Sequence, residues 1–382
     1  MSIPGKDREK ADLALLIGSG AGEILRSALM NMGQPAVIRG WEVHSIHHRP
    51  GAGVTAGYSV TLDRILPNGA HMRVEEYLCA STARLSHPNT PGLVYVSKGD
   101  STFSVWRYPA DPELPALFLA CSPEHMSALL GMPVSVELMS YRPTRRAVVR
   151  VRAANSVSYA KVARPPQVES LAKRHIMLSR AGIPAPPVLI HDVRGLLVIG
   201  AANGIPLSTA ISRGMGRNAA PLLGSLTALL NALPREALSL SHRPAWADRS
   251  THYAHAAGTA LPEERARCEA VAHGIHELLA SSDPGPLVPV HGDFYEANIF
   301  VSHDSSRVTG IIDVDSLGPG HRVDDWACLL GHMSVLPHLA PDSYPYVQDD
   351  LPIWRDACEH AVDPVALCPS SSSARKSDGA AS

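Results

Sequence analysis

Apolar and polar residues alternate in short runs between residues 134 and 200, a pattern that predicts β-strands. A helix is predicted at Pro166–Ala181, because Gly182 and Pro184 follow it as helix-ending residues do. The last two strands flank a short polar turn, which predicts a hairpin. The five predicted strands are Val134–Leu138, Ala147–Val151, Ser158–Val162, Val188–Ile190 and Leu196–Ile199.

The stretches on either side of this region differ in pattern. The first 134 residues combine a predicted helix near Ala21–Met32 with strand-like runs such as Tyr58–Leu62 and Val94–Val96. Between residues 205 and 282, apolar residues recur three and four positions apart, which predicts helices. The segment SSDPGPLVP, which ends at Pro289, predicts a loop.

A weak internal similarity links the first region to the strand-rich region. HRPGAGVTAGYSVTLD followed by YLCAS resembles YRPTRRAVVRVRA followed by YAKVA, and Cys79 then takes the position of Lys161. Two explanations are open: a duplicated strand-turn-strand unit, or the general likeness of unrelated hairpins.

The composition of the 382 residues is that of a globular protein, with 45% hydrophobic and 18% charged residues. The formal net charge of −2 and the lack of a basic stripe argue against a nucleic-acid partner. No apolar run approaches about 18 residues, so no membrane span is expected. Six scattered cysteines without a CxxC pair, and an N-terminus without an apolar leader, predict reduced thiols in a cytoplasmic protein.

Three polar features interrupt apolar runs. Lys161 lies within SYAKVAR, Asp293 and Asn298 lie within HGDFYEAN, and Asp313 ends the apolar run of GIIDVDS. Taken singly, each has an ordinary structural explanation, because a strand lysine usually faces water and an aspartate after a strand often caps a turn.

Taken together, the same residues match the requirements of phosphoryl transfer. This reaction needs a carboxylate beside the attacking hydroxyl, metal ligands on the triphosphate and a cation on the phosphates. Mg²⁺ prefers oxygen ligands, which the Asn298 amide and the Asp313 carboxylate supply. Asp293 precedes Asn298 by five residues and is left to approach the substrate. The pattern therefore predicts a kinase active site.

The motif HGDxxxxN followed by an I-I-D strand resembles the aminoglycoside phosphotransferase and choline kinase-like family, whose members have a protein kinase-like fold. The resemblance covers about residues 136–335. It implies an α+β, two-lobed fold with a small β-rich N-lobe and a larger helical C-lobe, and an additional N-terminal α+β region. It also implies that the protein is a small-molecule kinase that uses ATP, or another nucleoside triphosphate, and Mg²⁺.

The resemblance implies a role for several residues. Asp293 corresponds to the catalytic base, and Asn298 and Asp313 correspond to the Mg²⁺ ligands. Lys161 corresponds to the lysine that holds the nucleotide phosphates. Asp315 takes a position where relatives often carry an acid near the second metal ion.

Three further residues surround this loop. GPGHRVDDWACLLG resembles the family's G-D-P-x-x-D-L-A segment, which implies that Asp325 braces the catalytic loop. His291 is expected to pack and to form hydrogen bonds, without a part in proton transfer. Glu296 is expected to be an exposed loop residue.

The sequence departs from the family pattern in two places. The turn before the lysine strand has no glycine cluster, and Arg145 and Arg146 either supply positive charge to the phosphates or are solvated. Where relatives carry a glutamate that pairs with the strand lysine, this chain has His175, and Glu169 is the nearest alternative partner for Lys161. The missing glutamate keeps a second interpretation open, a catalytically weak, pseudokinase-like regulator that binds nucleotide.

The predicted organisation has four parts. Residues 1–134 form an extension or cap, residues 135–203 the N-lobe, residues 204–365 the helical C-lobe, and residues 366–382 a disordered tail. The acceptor is expected to be a hydroxylated small molecule, which leaves aminoglycoside-like antibiotics, sugars and amino alcohols open.

Other patterns are weaker. Gly18 and Gly20 imitate a dinucleotide-binding loop, but Glu23 stands at the third glycine position. The 19 histidines include no HExxH motif and no zinc-site spacing. Four acids near the C-terminus either line a cleft for a polycationic acceptor or form a solvated surface. They are Asp342, Asp349, Asp350 and Asp356.

Overall fold

The computed structural model describes residues 4–33, 36–48, 51–65, 71–215, 218–360 and 362. The chain divides into two compact units. The first unit contains Met1–Ser170 and Val188–Gly200, and the second contains Leu171–Pro187 and Ala201–Ser382. The predicted disordered tail, residues 366–382, lies outside the described residues.

The first unit begins with two helices and a five-stranded antiparallel sheet in the order β1-β2-β3-β5-β4. Buried side chains of α2, such as Ile24 and Leu25, share one core with strand residues such as Tyr58 and Phe103. The predicted helix and strands of this region are present. The elements are α1 (Pro4–Ile17), α2 (Gly20–Asn31), β1 (Ala36–His48), β2 (Val54–Ile65), β3 (His71–Ser81), β4 (Val94–Lys98) and β5 (Ser101–Arg107).

A second antiparallel sheet follows in the order β6-β7-β8-β10-β9. All five predicted strands, the predicted helix and the predicted hairpin are present. Alternation places Ala160 and Val162 in the core with Leu117 and Met126 of the preceding helices. The elements are α3 (Leu117–Ala120), α4 (Pro123–Leu130), β6 (Ser135–Arg142), β7 (Arg146–Arg152), β8 (Val157–Ala163), α5 (Pro165–Arg180), β9 (Val188–Asp192) and β10 (Leu196–Gly200).

The two sheets of the first unit share one topology. Each follows a pair of helices, and in each the fifth strand pairs with the third and the fourth. Cys79 and Lys161 both lie on the third strand, but Cys79 is fully buried, whereas Lys161 is partly exposed. The second sheet differs by the insertion of α5. Duplication as the origin of the internal similarity stays a prediction.

The second unit is mainly helical and carries two small sheets, in the orders β11-β13-β14 and β12-β15. The segment 281–289 is not entirely a loop, because its end pairs with β15 as part of β12. The elements are β11 (Ile205–Pro206), α6 (Leu207–Ser212), α7 (Ala219–Asn231), α8 (Ser250–Ala260), α9 (Arg265–Ser281), β12 (Leu287–Val290), β13 (Ile299–Val301), β14 (Val308–Ile311), β15 (Gly318–His321), α10 (Arg322–Leu339) and α11 (Val347–Glu359).

The expected α+β, protein kinase-like fold is confirmed, with β-rich sheets before residue 201 and a mainly helical part after it. Among the described residues, no single helix has the length and apolar character of a membrane span. The helices at 8–17 and 20–31 meet that criterion only when they are counted together across an 80° bend.

Candidate active site

The loop formed by residues 291–298 joins β12 to β13 and is held at its start by α10. Asp325, in the first turn of α10, is fully buried and accepts hydrogen bonds from the backbone N–H groups of His291 (3.0 Å) and Gly292 (2.9 Å). The guanidinium of Arg322 lies 3.3 Å from the same carboxylate. Burial raises the pKa of Asp325 to about 6, so the group is a carboxylate at neutral pH and accepts both bonds.

Gly292 and His291 fix the path of the loop. Gly292 has a φ of +76°, and a Cβ atom placed there would lie 2.7 Å from the carbonyl oxygen of Ser316. Both the backbone angle and the lack of space therefore require glycine. His291 is fully buried, and its Nε2 lies 3.0 Å from the carbonyl oxygen of Ile312. Because a carbonyl oxygen only accepts, Nε2 carries the proton in this contact.

The pairing of β13 with β14 brings Asn298 and Asp313 to neighbouring strand ends. The carbonyl oxygen of Asn298 accepts a hydrogen bond from the N–H of Ile312 (2.9 Å), the residue before Asp313. The side chain of Asn298 is buried, and its Nδ2 donates to the carbonyl oxygen of Asp293 (3.0 Å). Asp313 has a φ of +57°, a left-handed conformation that aspartate and asparagine adopt more readily than most residues.

The donor set of Asn298 and Asp313 fits Mg²⁺. This ion takes oxygen ligands and uses one or two from protein, with phosphate and water as the others. Because Nδ2 of Asn298 donates to Asp293, the Oδ1 atom is the one that can coordinate. Within the described residues, no group of three or more His, Cys, Asp and Glu side chains could hold a metal ion.

Asp293 is partly buried in the middle of the loop. Burial is the main reason why the pKa of Asp293 is raised above its ordinary value, and the negative charge of Asp313 adds to the rise. The charges of His332 and Arg243, and a hydrogen bond from the Trp246 side chain, oppose it. Sequence analysis missed these last three residues, because no motif marks them and they are distant from Asp293 along the chain.

Asp315, the predicted second metal ligand, has a charged partner within the protein. It interacts electrostatically with Arg174, a buried residue of α5 whose Nε donates to the carbonyl oxygen of Leu317 (3.2 Å). Balancing the charge of Arg174 is therefore an alternative role for Asp315.

The two candidate partners of Lys161 differ in environment. His175 is buried, and its Nδ1 lies 2.9 Å from the carbonyl oxygen of Pro186. Glu169 is exposed on the first part of α5. The pairing of either residue with Lys161 stays a prediction.

The expectation that Glu296 is exposed is wrong. Its side chain is buried, and its carboxylate lies 3.8 Å from Nδ1 of His332. The carbonyl oxygen of Glu296 accepts a hydrogen bond from the N–H of Ser208 in α6 (3.2 Å), so this helix covers the loop. Burial raises the pKa of Glu296.

The four acids near the C-terminus do not form one solvated surface. Asp350 is buried, and its carboxylate accepts a hydrogen bond from the N–H of Met215 (2.9 Å). Asp342, Asp349 and Asp356 are exposed. Asp350 therefore has a structural role in attaching α11.

Lys161 lies on the face of the second sheet that points away from the α3–α4 core. Its neighbours across the sheet are Val148 on β7 and Leu197 on β10. Leu197 is fully buried, and Val148 and Lys161 are partly exposed. Sheet pairing therefore flanks this lysine with two apolar side chains.

The turn between β6 and β7, which carries Arg145, is held by Asp111. One carboxylate oxygen of this buried residue accepts hydrogen bonds from the N–H of Thr144 (2.7 Å) and the hydroxyl of Tyr141 (2.7 Å). The other carboxylate oxygen accepts a hydrogen bond from the N–H of Glu113 (2.8 Å). Thr144 has a φ of +63°, so these bonds stabilise a turn that has no glycine cluster. Sequence analysis missed Asp111 because it lies about 30 residues before the turn.

The same turn is positively charged. Burial is the main cause of the lowered pKa of His47 on β1, and the charges of Arg142 and Arg145 lower it further. Arg145 is partly buried, whereas Arg146 is exposed. His47 of the first sheet therefore lies within the electrostatic reach of Arg142 and Arg145, and the role of Arg145 and Arg146 at the phosphates stays a prediction.

Comparison with known proteins identifies the family. The model of the phosphotransferase enzyme family matches residues 141–359, more than half of the chain. The chain therefore belongs to this family, and the identification of the protein as a small-molecule kinase is confirmed.

Three solved structures that align with the chain carry related names. One is an aminoglycoside-3'-phosphotransferase of type VIII, with 23% identity and a TM-score of 0.45 over 63% of this chain and 94% of that chain. A macrolide 2'-phosphotransferase from Brachybacterium faecium has 17% identity and a TM-score of 0.42 over 63% and 84% of the two chains. An ethanolamine kinase from Plasmodium vivax has 15% identity and a TM-score of 0.37 over 56% and 64%. No curated protein sequence matches the chain.

Proposed function

We propose that this member of the phosphotransferase family moves the γ-phosphoryl group of ATP, or of another nucleoside triphosphate, onto a hydroxyl of a small molecule. The observation that carries the proposal is the structure of the loop of residues 291–298. The Asp325 carboxylate accepts hydrogen bonds from the first two backbone N–H groups of this loop, and the Asn298 side chain donates a hydrogen bond to the backbone carbonyl oxygen of Asp293. This arrangement ties the Asn298 side chain to the backbone of the partly buried Asp293, and Asp313 follows the neighbouring strand β14.

Asp293 acts as the general base in this proposal. It accepts the proton of the acceptor hydroxyl while the acceptor oxygen bonds to the γ-phosphorus and the bond from that phosphorus to the leaving diphosphate breaks. Burial raises the pKa of Asp293, and the charges of His332 and Arg243 oppose that rise. His291 holds the loop and transfers no proton.

Asn298 and Asp313 are the proposed Mg²⁺ ligands, with Asp315 as the further candidate. The ion, when bound, neutralises the charge that develops on the phosphates. One neutral amide and one carboxylate bring less negative charge to the triphosphate than two carboxylates would.

Lys161 and the β6–β7 turn are the proposed phosphate contacts of the first unit. Val148 and Leu197 are the neighbours of this lysine on the two adjacent strands. Asp111 fixes the turn that presents Arg145 and Arg146, so the backbone there is ordered without glycine.

The free thiols of the described cysteines favour a reducing compartment such as the cytoplasm.

A mass-spectrometric screen tests the proposal. The purified protein is incubated with ATP and Mg²⁺ and with a panel of sugars, amino alcohols and aminoglycosides, and each acceptor is examined for the gain of one phosphoryl group. Transfer that stops when Mg²⁺ is removed by a chelator is the expected result. Binding of nucleotide without transfer to any member of a broad panel would favour the alternative role of a nucleotide-binding regulator.

A further inference from the structure

Three tyrosine rings join the two sheets of the first unit. The ring centroid of Tyr141, on β6, lies 5.8 Å from that of Tyr77, on β3, and 5.2 Å from that of Tyr108, which follows β5. Tyr77 and Tyr108 meet edge to face, with centroids 6.4 Å apart. We call these three residues the tyrosine cluster. Because Tyr77 belongs to the first sheet and Tyr141 to the second, the cluster packs one sheet against the other.

The hydroxyl of Tyr141 lies in a chain of hydrogen bonds that begins in the first sheet. It accepts from the indole N–H of Trp106 on β5 (3.2 Å) and donates to the carboxylate of Asp111 (2.7 Å). An indole N–H only donates and a carboxylate only accepts, so the direction of both bonds is fixed. Burial raises the pKa of Tyr141, so the phenol keeps the proton that it donates. The same oxygen of Asp111 accepts from the N–H of Thr144 (2.7 Å), so the chain ends in the turn between β6 and β7.

The segment that links the two sheets carries a second buried acid, Glu113. Its carboxylate accepts a hydrogen bond from the hydroxyl of Ser86 (3.1 Å), in the loop between β3 and β4 of the first sheet. It also forms an ion pair with Arg164 (2.9 Å), the residue that follows β8, the strand of Lys161. Asp111 and Glu113 therefore connect the first sheet to both elements of the second sheet that are proposed to contact phosphate.

The position of the first sheet that aligns with Lys161 has a different use. Cys79 is fully buried there, and its Sγ lies 3.7 Å from the hydroxyl of Tyr141. Burial raises the pKa of this thiol well above its ordinary value, so the thiol is uncharged at neutral pH. Position 79 therefore packs against Tyr141 and cannot supply the cation that phosphate binding requires.

The turn between β6 and β7 needs support because its backbone is strained. Thr144 has a φ of +63°, a left-handed conformation that costs free energy for a residue other than glycine. Such a conformation persists only where the surrounding structure holds it, and the bond from Thr144 to Asp111 does so here. Arg145 and Arg146 follow directly in the chain, so the direction of their side chains depends on this conformation.

We infer that Tyr141 is a positioning residue through which the first sheet holds the turn between β6 and β7 and thereby sets the affinity for the nucleoside triphosphate. This inference rests on the proposed function, in which Arg145 and Arg146 of that turn contact the phosphates. It gives the N-terminal sheet a part in the reaction without a ligand of its own.

Three single substitutions and one double variant test the inference. Tyr141→Phe removes the hydroxyl and keeps the ring. Trp106→Phe removes the indole donor of the first sheet and leaves Tyr141 and Asp111 in place, and the double variant combines these two changes. Tyr58→Phe is the matched control, because Tyr58 is a fully buried tyrosine of the same sheet whose hydroxyl donates to the carbonyl oxygen of Leu16 (2.8 Å), in the core formed with α1 and α2.

Four quantities are measured for each protein. Calorimetry gives the Kd for ATP with Mg²⁺ and the Kd for adenosine, which has no phosphates. Thermal unfolding gives the Tm, and steady-state transfer gives kcat and the KM for ATP.

The expected result is a loss of affinity that is specific to the phosphates. Tyr141→Phe should raise the Kd and the KM for ATP about three- to tenfold, as the loss of one buried hydrogen bond predicts, and leave kcat at saturating ATP nearly unchanged. Trp106→Phe should also raise the Kd for ATP, and the double variant should bind ATP no more weakly than the weaker single variant, because both changes break one chain of bonds. The Kd for adenosine should stay that of the wild type. Tyr58→Phe should lower the Tm and leave the Kd for ATP unchanged.

Three results would overturn the inference. Equal rises of the Kd for ATP in Tyr141→Phe and Tyr58→Phe would show that the effect follows stability alone. A wild-type Kd for ATP in Trp106→Phe would show that the first sheet does not act through Tyr141. Equal weakening of ATP and adenosine binding would show that the turn does not act on the phosphates.

Calorimetry also separates the inference from the proposed function. ATP binding that depends on Tyr141 and Trp106, without transfer to any acceptor, supports the inference and counts against the proposed function. Transfer by both variants with the wild-type KM for ATP overturns the inference and leaves the proposed function intact. A wild-type protein that does not bind ATP overturns both.

Discussion

The carboxylate of Asp325 accepts a hydrogen bond from the backbone N–H of Gly292 at 2.9 Å, and thereby α10 holds the residue that precedes Asp293. The second oxygen of the same carboxylate accepts from His291. A charged group that is fully buried is costly, and it is kept here because it satisfies two backbone donors of the loop.

The buried charge of Asp325 predicts a pH dependence of stability. The pKa of Asp325 is about 6 in the folded protein and 3.8 for an ordinary aspartate, so the folded state binds the proton more tightly. The free energy of unfolding should therefore fall as the pH rises from about 4 to about 6, by up to about 3 kcal/mol from this group. Urea unfolding at several pH values measures it, with Asp325→Asn as the reference. Parallel curves for the two proteins would contradict the prediction.

Gly292→Ala should impair both stability and turnover. The substitution combines a left-handed φ with a Cβ atom 2.7 Å from the carbonyl oxygen of Ser316. Gly182→Ala is the matched control, because Gly182 has a φ of +71° and open space around its Cβ position. Gly182→Ala should cost about 1 kcal/mol from the backbone angle alone. Gly292→Ala should cost at least about 1 kcal/mol more and reduce kcat. Equal losses in the two variants would show that the close approach to Ser316 is unimportant.

Asp313→Asn should weaken the binding of nucleotide in the presence of Mg²⁺ and leave metal-free binding nearly unchanged. Asparagine also tolerates the left-handed conformation of residue 313, so the substitution removes the charge without disturbing the backbone. Calorimetric titration with and without Mg²⁺ measures the effect.

Asp315→Asn, titrated in the same way, separates the two roles of Asp315. Loss of metal-dependent affinity would identify Asp315 as a ligand. Loss of stability alone would identify it as the partner of Arg174, whose charge it balances. For the first variant, Asp313→Asn, a nucleotide affinity that depends on Mg²⁺ as strongly as in the wild type would exclude Asp313 as a ligand.

Asp111→Asn should raise the KM for ATP. The single oxygen of asparagine cannot replace both carboxylate oxygens, which accept from Thr144, Tyr141 and Glu113. At least one buried donor then loses its partner, which costs about 1–3 kcal/mol and loosens the turn that carries Arg145. Steady-state kinetics together with thermal unfolding measures both effects.

Asp192→Asn is the control for this prediction, because Asp192 also holds a hairpin turn of the second sheet, through the N–H of Arg194 (2.8 Å). It should leave the KM for ATP unchanged. An equal rise of that KM in both variants would contradict a specific role for Asp111.

The sequence predicts much of the fold because the relevant signals are local. Alternation gives the five strands of the second sheet and parts of β2 and β4 in the first, and the helix-ending residues Gly182 and Pro184 locate the end of α5 within one or two residues. The end of the segment 281–289 was assigned incorrectly, since Leu287–Val290 forms a strand only by pairing with β15. Such a pairing lies about 30 residues away and leaves no periodic signal in so short a segment.

The candidate site is predictable only where its residues share a motif. Asp293, Asn298 and Asp313 lie within 21 consecutive residues and resemble a family pattern. Trp246 and Asp111 reach their partners through tertiary packing, so their positions carry no signal in a single sequence. Glu296 was wrongly predicted to be exposed, because a charged residue in a loop usually faces water. Its side chain is buried, and α6 lies over this part of the loop.

The most direct test of the account compares wild type with Asp293→Asn, with Asp342→Asn as an exposed control. The quantities are kcat for phosphoryl transfer to whichever acceptor is active and the Kd for nucleotide with Mg²⁺. The account predicts that Asp293→Asn lowers kcat by about 10²–10⁴-fold, with a nearly unchanged Kd, and that Asp342→Asn changes neither. Turnover by Asp293→Asn at the wild-type rate would contradict the assignment of Asp293 as the general base.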